Sequence, residues 1–289
     1  MKSQLNSNTS AGLFFLLVVV VPVFSGLVYA ALYSFGIVGI LNTGFTTEHW
    51  KAILSGSPFW KSVGFSLFVA ISSVVISLIF ALAIALSWKK ALHQGMLSTV
   101  IYLPLCFPGT VMAFFMFQIL SKSGFLSRLG FASGILDDLN NFPAFIQDAY
   151  GVGIILTSVF LITPFFVILF SNLYHTENLE NYKLLARTFG ASKFQILQKV
   201  TLPILLKKSA VTVYLFIIFV MGSYEIPLLL GRQNPQMISV AIIQKIQRFN
   251  LYDIPKGFAM SILYVIVILF VLLLLYFKNS EYFKPKNTS

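Results

Sequence analysis

Apolar runs of about twenty residues recur along this chain, and they limit its fold more than any other feature. A lipid bilayer offers no water to pair with backbone N–H and C=O groups, so a spanning segment must satisfy them internally. A helix does so, and at roughly 1.5 Å per residue about twenty residues cross a hydrocarbon core of about 30 Å. The sequence predicts six spans, at roughly 12–35, 61–88, 95–120, 150–174, 209–230 and 257–277. The expected fold class is an all-α membrane protein, with residues 1–289 forming a single transmembrane domain. Composition agrees, because only 10% of the residues are charged against about 25% in soluble domains. The net charge of +11 would suit nucleic acid in a soluble chain. Here it reads as the basic edges of a protein embedded in membrane lipid, with no nucleic-acid partner.

The first run resembles a signal peptide, with Val28-Tyr29-Ala30 as a cleavage-like site. Its apolar stretch from Ala11 to Phe35 is too long for a usual signal core, so it is expected to stay as an anchor. With the N-terminus inside, the inner segments hold twelve Lys and Arg residues and the outer loops eight. Lys2, Lys89, Lys90, Lys278, Lys284 and Lys286 are inside, as are the six cations between Lys183 and Lys208. Glu177, Glu180 and Glu281 also fall inside, whereas Glu48, Asp137, Asp138, Asp148 and Asp253 fall outside. The positive-inside rule therefore puts both termini in the cytoplasm. The outer loop at 231–256 runs against this bias, with Arg232, Lys245, Arg248 and Lys256. Cys106 is the single cysteine, so no disulfide can form within the chain. His49, His93 and His175 are scattered, and no metal site is expected.

A polar island at 175–208 separates the fourth and fifth spans. Leu179, Tyr182, Leu185, Ala186 and Phe189 recur at helical spacing over 178–189. Gly190 then permits a turn that a residue with a Cβ resists. Ser192 followed three residues later by Gln195 is a capping-box pattern, and Phe194, Leu197 and Val200 continue an apolar face. Two short helices joined at Gly190 fit two roles: a surface helix bound to anionic lipid, or a docking element for a cytosolic partner.

This island resembles the cytoplasmic signature of inner-membrane permease subunits of binding-protein-dependent ABC importers. That signature is Glu-Ala-Ala, three residues, Gly, nine residues, then Ile-x-Leu-Pro. Here nine residues separate Gly190 from Val200-Thr201-Leu202-Pro203. The segment from Ala186 through Arg187, Thr188, Phe189, Gly190 and Ala191 to Ser192 is also typical. Leu184-Leu185-Ala186 stand where Glu-Ala-Ala is usual, so any salt bridge made by the missing acid is open here. Leu103-Pro104-Leu105 with Phe107-Pro108-Gly109 is similar to the family's third span. Gly153-Ile154-Ile155-Leu156 followed by Pro164-Phe165-Phe166 is similar to its fourth, and Gly222 to Gly231 to the fifth span of a polyamine-permease-like subgroup.

The resemblance implies a bacterial inner-membrane importer subunit of the type I fold, with a coupling helix between spans four and five. Leu185, Ala186, Arg187, Phe189, Gly190, Ala191, Ser192, Leu202 and Pro203 would contact an ABC ATP-binding subunit. A second permease subunit, identical or related, would complete the path, and an extracytoplasmic solute-binding protein would deliver the solute. The chain has no GxxxxGK[ST] phosphate loop, so it binds no cofactor in this reading and is not itself an enzyme. ATP and Mg would belong to the partner subunit.

Glu225 is the one formal charge expected within a span, where a carboxylate costs several kcal/mol, from about 2.5 upward. It can line the solute path together with Tyr224 and Pro227, lock two helices, or lie near the outer interface. Pro227 is expected to free a backbone carbonyl that water can satisfy. A carboxylate on the path favours a polyamine-like solute. Related permeases carry sugars, ferric iron, thiamine or inorganic anions. An ion-coupled secondary carrier is the competing class, and it calls for several intramembrane acids or paired repeats that this sequence lacks.

Overall fold

The computed structural model describes residues 12–40, 42, 44–88 and 96–278. Both termini, and with them Lys2, Lys89, Lys90, His93, Glu281, Lys284 and Lys286, lie outside the described residues. Twelve helices are used below: α1 (Gly12–Ser34), α2 (Glu48–Leu54), α3 (Ser57–Ser87), α4 (Met96–Val100), α5 (Gly109–Leu120), α6 (Phe125–Ala132), α7 (Val152–Thr176), α8 (Leu179–Thr188), α9 (Lys193–Gly222), α10 (Glu225–Leu230), α11 (Ile238–Gln247) and α12 (Ile254–Lys278). No strand occurs among the described residues. Six segments are long and apolar enough to cross a membrane: Gly12–Ser34, Ser57–Ser87, Gly109–Ala132, Val152–Thr176, Lys193–Gly222 and Leu251–Leu273.

Two spans depart from the boundaries expected from hydropathy, and proline contributes to both differences. The expected span at 95–120 is interrupted: α4 ends at Val100, a 3-10 turn covers Leu103–Cys106, and α5 starts at Gly109. Pro104 and Pro108 supply no N–H, and the residue before a proline is pushed out of the helical region. Phe107, the residue before Pro108, accordingly takes ψ 128°, and Pro108 itself is extended at ψ 147°. The crossing segment is instead Gly109–Ala132, which takes in α5 and α6. The expected span at 209–230 begins earlier and ends earlier, as α9 from Lys193 to Gly222. Ser223 is extended at ψ 137°, and the short helix α10 follows. Glu225, expected inside the span, is therefore the first residue of α10, beyond the end of α9.

Proline also shapes the long helices from within. A proline ring collides with the carbonyl four residues back and offers it no hydrogen bond. In α1 and α9 the turn before the proline widens to a π-turn, at Leu16–Val20 before Pro22 and at Leu197–Thr201 before Pro203. The Val21 N–H reaches back five residues to the Leu16 carbonyl, and the Leu202 N–H to Leu197. Each helix continues past its proline because the widened turn makes room for the ring.

The chain packs as two compact units, residues 1–61 with 240–289 and residues 62–239. In the first unit α12 packs against α1 and α2. The Tyr33 and Phe258 ring centroids lie 4.6 Å apart, and Trp50 stacks on Phe35 at 5.2 Å. Asp253 holds Lys256 at 3.3 Å and Lys245 and Arg248 at 3.8 Å. Three of the four cations that run against the charge bias thus share one carboxylate. Burial, and then the Lys256 ammonium, push His49 below the usual imidazole value, and Glu48 opposes them.

In the second unit α7 packs against α5, α8, α9 and α10. Phe166 and Phe170 on α7 are fully buried, and Phe216 of α9 packs 5.0 Å from Phe166. Some polar groups in this interior have specific partners, whereas the buried hydroxyls of Ser73, Ser77, Ser127, Thr163 and Thr201 have none among the described residues. The buried Ser66 hydroxyl accepts from the Ile238 N–H at 2.8 Å.

Candidate functional site

The polar island folds into two helices joined by a tight turn. Asn178, in the left-handed region at φ 50°, starts α8, and Leu179 behind it is fully buried. At the far end Gly190 takes φ +79°. Its N–H donates to the Arg187 carbonyl at 2.9 Å, and the Ala191 N–H donates to Ala186 at 3.1 Å. These two bonds make a Schellman turn, which needs a left-handed residue at the Gly190 position. The expected capping box then starts α9: the Gln195 N–H donates to Ser192 Oγ at 3.3 Å, and the Ser192 N–H donates to Gln195 Oε1 at 2.9 Å. Such a cap contributes about 1 kcal/mol.

The expected apolar face does not fold inward as one unit. Leu179 and Ile196 are buried, whereas Leu185 is 56% exposed, Phe189 82% and Phe194 70%. Arg187 and Ser192 are exposed, Ala186 and Ala191 half-buried. Leu202 is half-buried and Pro203 exposed at the widened turn of α9. Leu185, Phe189 and Phe194 thus form exposed apolar groups at an otherwise polar turn.

Side chains that sequence reasoning did not single out fix α8 to its neighbours. The buried Tyr174 hydroxyl donates to the Glu180 carboxylate, and Lys183 Nζ donates to the Tyr174 hydroxyl at 2.8 Å. Glu177 pairs with Lys208 at 2.9 Å, joining the end of α7 to α9. Leu184, which replaces the acid of the signature, is exposed and leaves no buried charge. The acid that reaches a partner is Glu180, one helical turn earlier. Its only sequence signal was the spacing of Glu180 and Lys183 at three residues.

The second group surrounds the break between α9 and α10. Glu225 Oε2 accepts from Thr110 Oγ1 at 2.6 Å. Thr110 sits in the first turn of α5, where the helix dipole favours a negative charge. Gly109 allows this approach, since a Cβ there would lie 3.2 Å from Glu225 Oε2. Glu225 remains exposed, Tyr224 is half-buried, and Pro227 is buried. Pro227 offers no N–H to the carbonyl of Ser223, and the expectation was that water fills that role. The Ser239 hydroxyl fills it instead, by donating to the Ser223 oxygen. The turn at Gly190 and the Glu225 carboxylate are thus separate groups of residues.

Residues 73–279 match the family described as the binding-protein-dependent transport system inner membrane component. The chain belongs to that family. Membership fits the six apolar helices and assigns the chain to the inner membrane as a multi-pass transport subunit. The fold is similar to that of a bacterial ABC transporter involved in import of the acidic polysaccharide alginate, at 17% identity over 94% of each chain with a TM-score of 0.68. It is also similar to a bacterial alginate ABC transporter in complex with an alginate pentasaccharide-bound periplasmic protein, at 18% identity over 92% of each chain with a TM-score of 0.67. No curated protein matches the chain by sequence.

Proposed function

We propose that the chain is a permease subunit of an ABC importer, and that the turn at Gly190 docks a separate ATP-binding subunit. The observation that carries this reading is a fixed turn, built from a Schellman motif and a capping box, that presents Leu185, Phe189 and Phe194 to solvent. A partner that covers these side chains and moves on nucleotide binding pushes on α8. The Tyr174–Glu180 bond passes the push to α7, and the continuous helix α9 passes it towards Gly222. ATP and Mg reside on the partner, and this chain performs no catalysis.

In this reading residues 175–208 and both termini are cytoplasmic, and a second permease subunit, identical or related, completes the path. A solute-binding protein delivers cargo on the opposite face. The solute is a polyamine-like cation. The likeness of the segment from Gly222 to Gly231 supports this, as does the exposed Glu225 carboxylate where α9 gives way to α10. The alginate importers share the fold at 17% and 18% identity, and a likeness at that distance transfers no solute. Affinity capture of the tagged chain from its native membrane should retain an ATP-binding subunit in stoichiometric amount. Capture of intact chain with no ATPase would refute the docking reading.

A further inference from the structure

The ends of α3, α8 and α9 line a cavity of about 230 Å³ in the second unit. Among the described residues its polar lining is Lys183, Arg187, Lys193 and Thr201, and none of the lining side chains is acidic. Leu86 and Ile196 supply an apolar wall. Lys183 already donates to the Tyr174 hydroxyl at 2.8 Å. Arg187 and Lys193 make no ion pair among the described residues. Thr201 is fully buried, and its hydroxyl has no hydrogen-bond partner among the described residues. Buried hydroxyls are usually paired; Ser73, Ser77, Ser127 and Thr163 also lack a partner among the described residues, but of these hydroxyls Thr201 is the one that lines this cavity. Two cations and an unsatisfied hydroxyl around one cavity form the donor set of an anion site.

We propose that this cavity binds a phosphate group, carried by an anionic phospholipid headgroup or present as free phosphate. A guanidinium meets two phosphate oxygens in parallel, a lysine adds a point charge, and the threonine hydroxyl donates a third contact. The apolar wall beside these donors suits the carbon skeleton of a lipid headgroup. Arg187 lies before Gly190, and Lys193 and Thr201 lie after it. A bound phosphate therefore bridges the two helices across the turn and holds their angle. The bridging role rests on the docking function proposed for the same turn, whereas the binding itself does not.

The test uses the full chain within its purified transport complex, in discs of neutral phosphatidylcholine. Equilibrium dialysis with radiolabelled inorganic phosphate measures free-ion binding. Native mass spectrometry of discs doped with phosphatidylglycerol measures retained lipid. Arg187→Gln and Lys193→Gln should each weaken binding about tenfold, the scale of a charge-assisted hydrogen bond. Thr201→Val should weaken it about threefold and Thr201→Ser should restore it, which separates loss of the hydroxyl from misfolding. Retention of phosphatidylglycerol alone, sensitive to these variants, assigns the site to a lipid headgroup. Binding of inorganic phosphate with the same sensitivity assigns it to the free ion. No saturable binding of either probe, or binding unchanged by both charge variants, overturns the proposal. Loss of ATPase association in those variants with phosphate and lipid binding intact also overturns it, and leaves the docking reading standing. Variant-sensitive binding in a chain that never associates with an ATPase sinks the docking reading instead.

Discussion

Replacement of Gly190 tests whether the turn between α8 and α9 is the docking element. The backbone there has φ +79°, and an ideal Cβ built at this position meets nothing within 4 Å. Any cost of a side chain is therefore local to the backbone and does not arise from a clash. An L-residue held in the left-handed region loses roughly 1–2 kcal/mol, and a β-branched residue lies at the upper end or beyond. That energy corresponds to a factor of about 5–30 in an equilibrium. It acts against the two bonds that close the turn, at 2.9 and 3.1 Å, and water replaces these easily at an exposed site. Apparent affinity for the ATP-binding subunit falls by the fraction of chains that lose the turn. Gly190→Val is expected to weaken association by up to about thirtyfold and Gly190→Ala by about fivefold. Gly190→Asn should stay within a fewfold of wild type, because asparagine tolerates this conformation. The order Gly, Asn, Ala, Val follows backbone tolerance and not side-chain size. The assay is association of purified ATPase with the chain in discs, normalised to chain abundance. Gly190→Val at wild-type affinity, or Asn weaker than Ala, would falsify the reasoning.

Glu225→Gln should cut uptake at least tenfold if the carboxylate meets a cationic solute, while assembly and basal ATPase stay near wild type. Normal uptake in both Glu225→Gln and Glu225→Ala eliminates a role on the path. For orientation, single cysteines at Asn140 and Asn181 in a Cys106→Ala background are probed with an impermeant reagent in intact cells. Asn140 should label and Asn181 should not, and the reverse pattern defeats the proposed topology. Both positions are exposed. At Asn140 the backbone N–H, the larger influence holding the Asp138 carboxyl below its usual range, survives the substitution.

The features legible in the sequence were those decided over short distances. Lipid demands long apolar helices, so six spans could be counted from hydropathy. The Gly190 turn and the Ser192–Gln195 box close over three to five residues, and both form where the spacing placed them. Continuity was less legible, because hydropathy measures how apolar a segment is and not whether its backbone hydrogen bonds run unbroken. The apolar run of the fifth span resumes at Ile226 after the short polar stretch from Gly222 to Glu225, yet the helix stops at Gly222. The contacts that repair such breaks join residues far apart in the chain: Thr110 reaches Glu225 across 115 positions, and Ser239 reaches Ser223 across 16. A proline in an apolar run therefore implies two things together. One is a carbonyl four residues back that needs a donor, and the sequence names it. The other is the donor itself. At Pro227 that donor is a hydroxyl on the next helix, α11, and only the fold brings it to the carbonyl it satisfies. In α9 the same logic places a widened turn before Pro203, in the stretch where Thr201 is buried without a partner among the described residues. The proline of the signature and the unsatisfied hydroxyl thus belong to one local structure, next to the turn that is proposed to receive the ATPase.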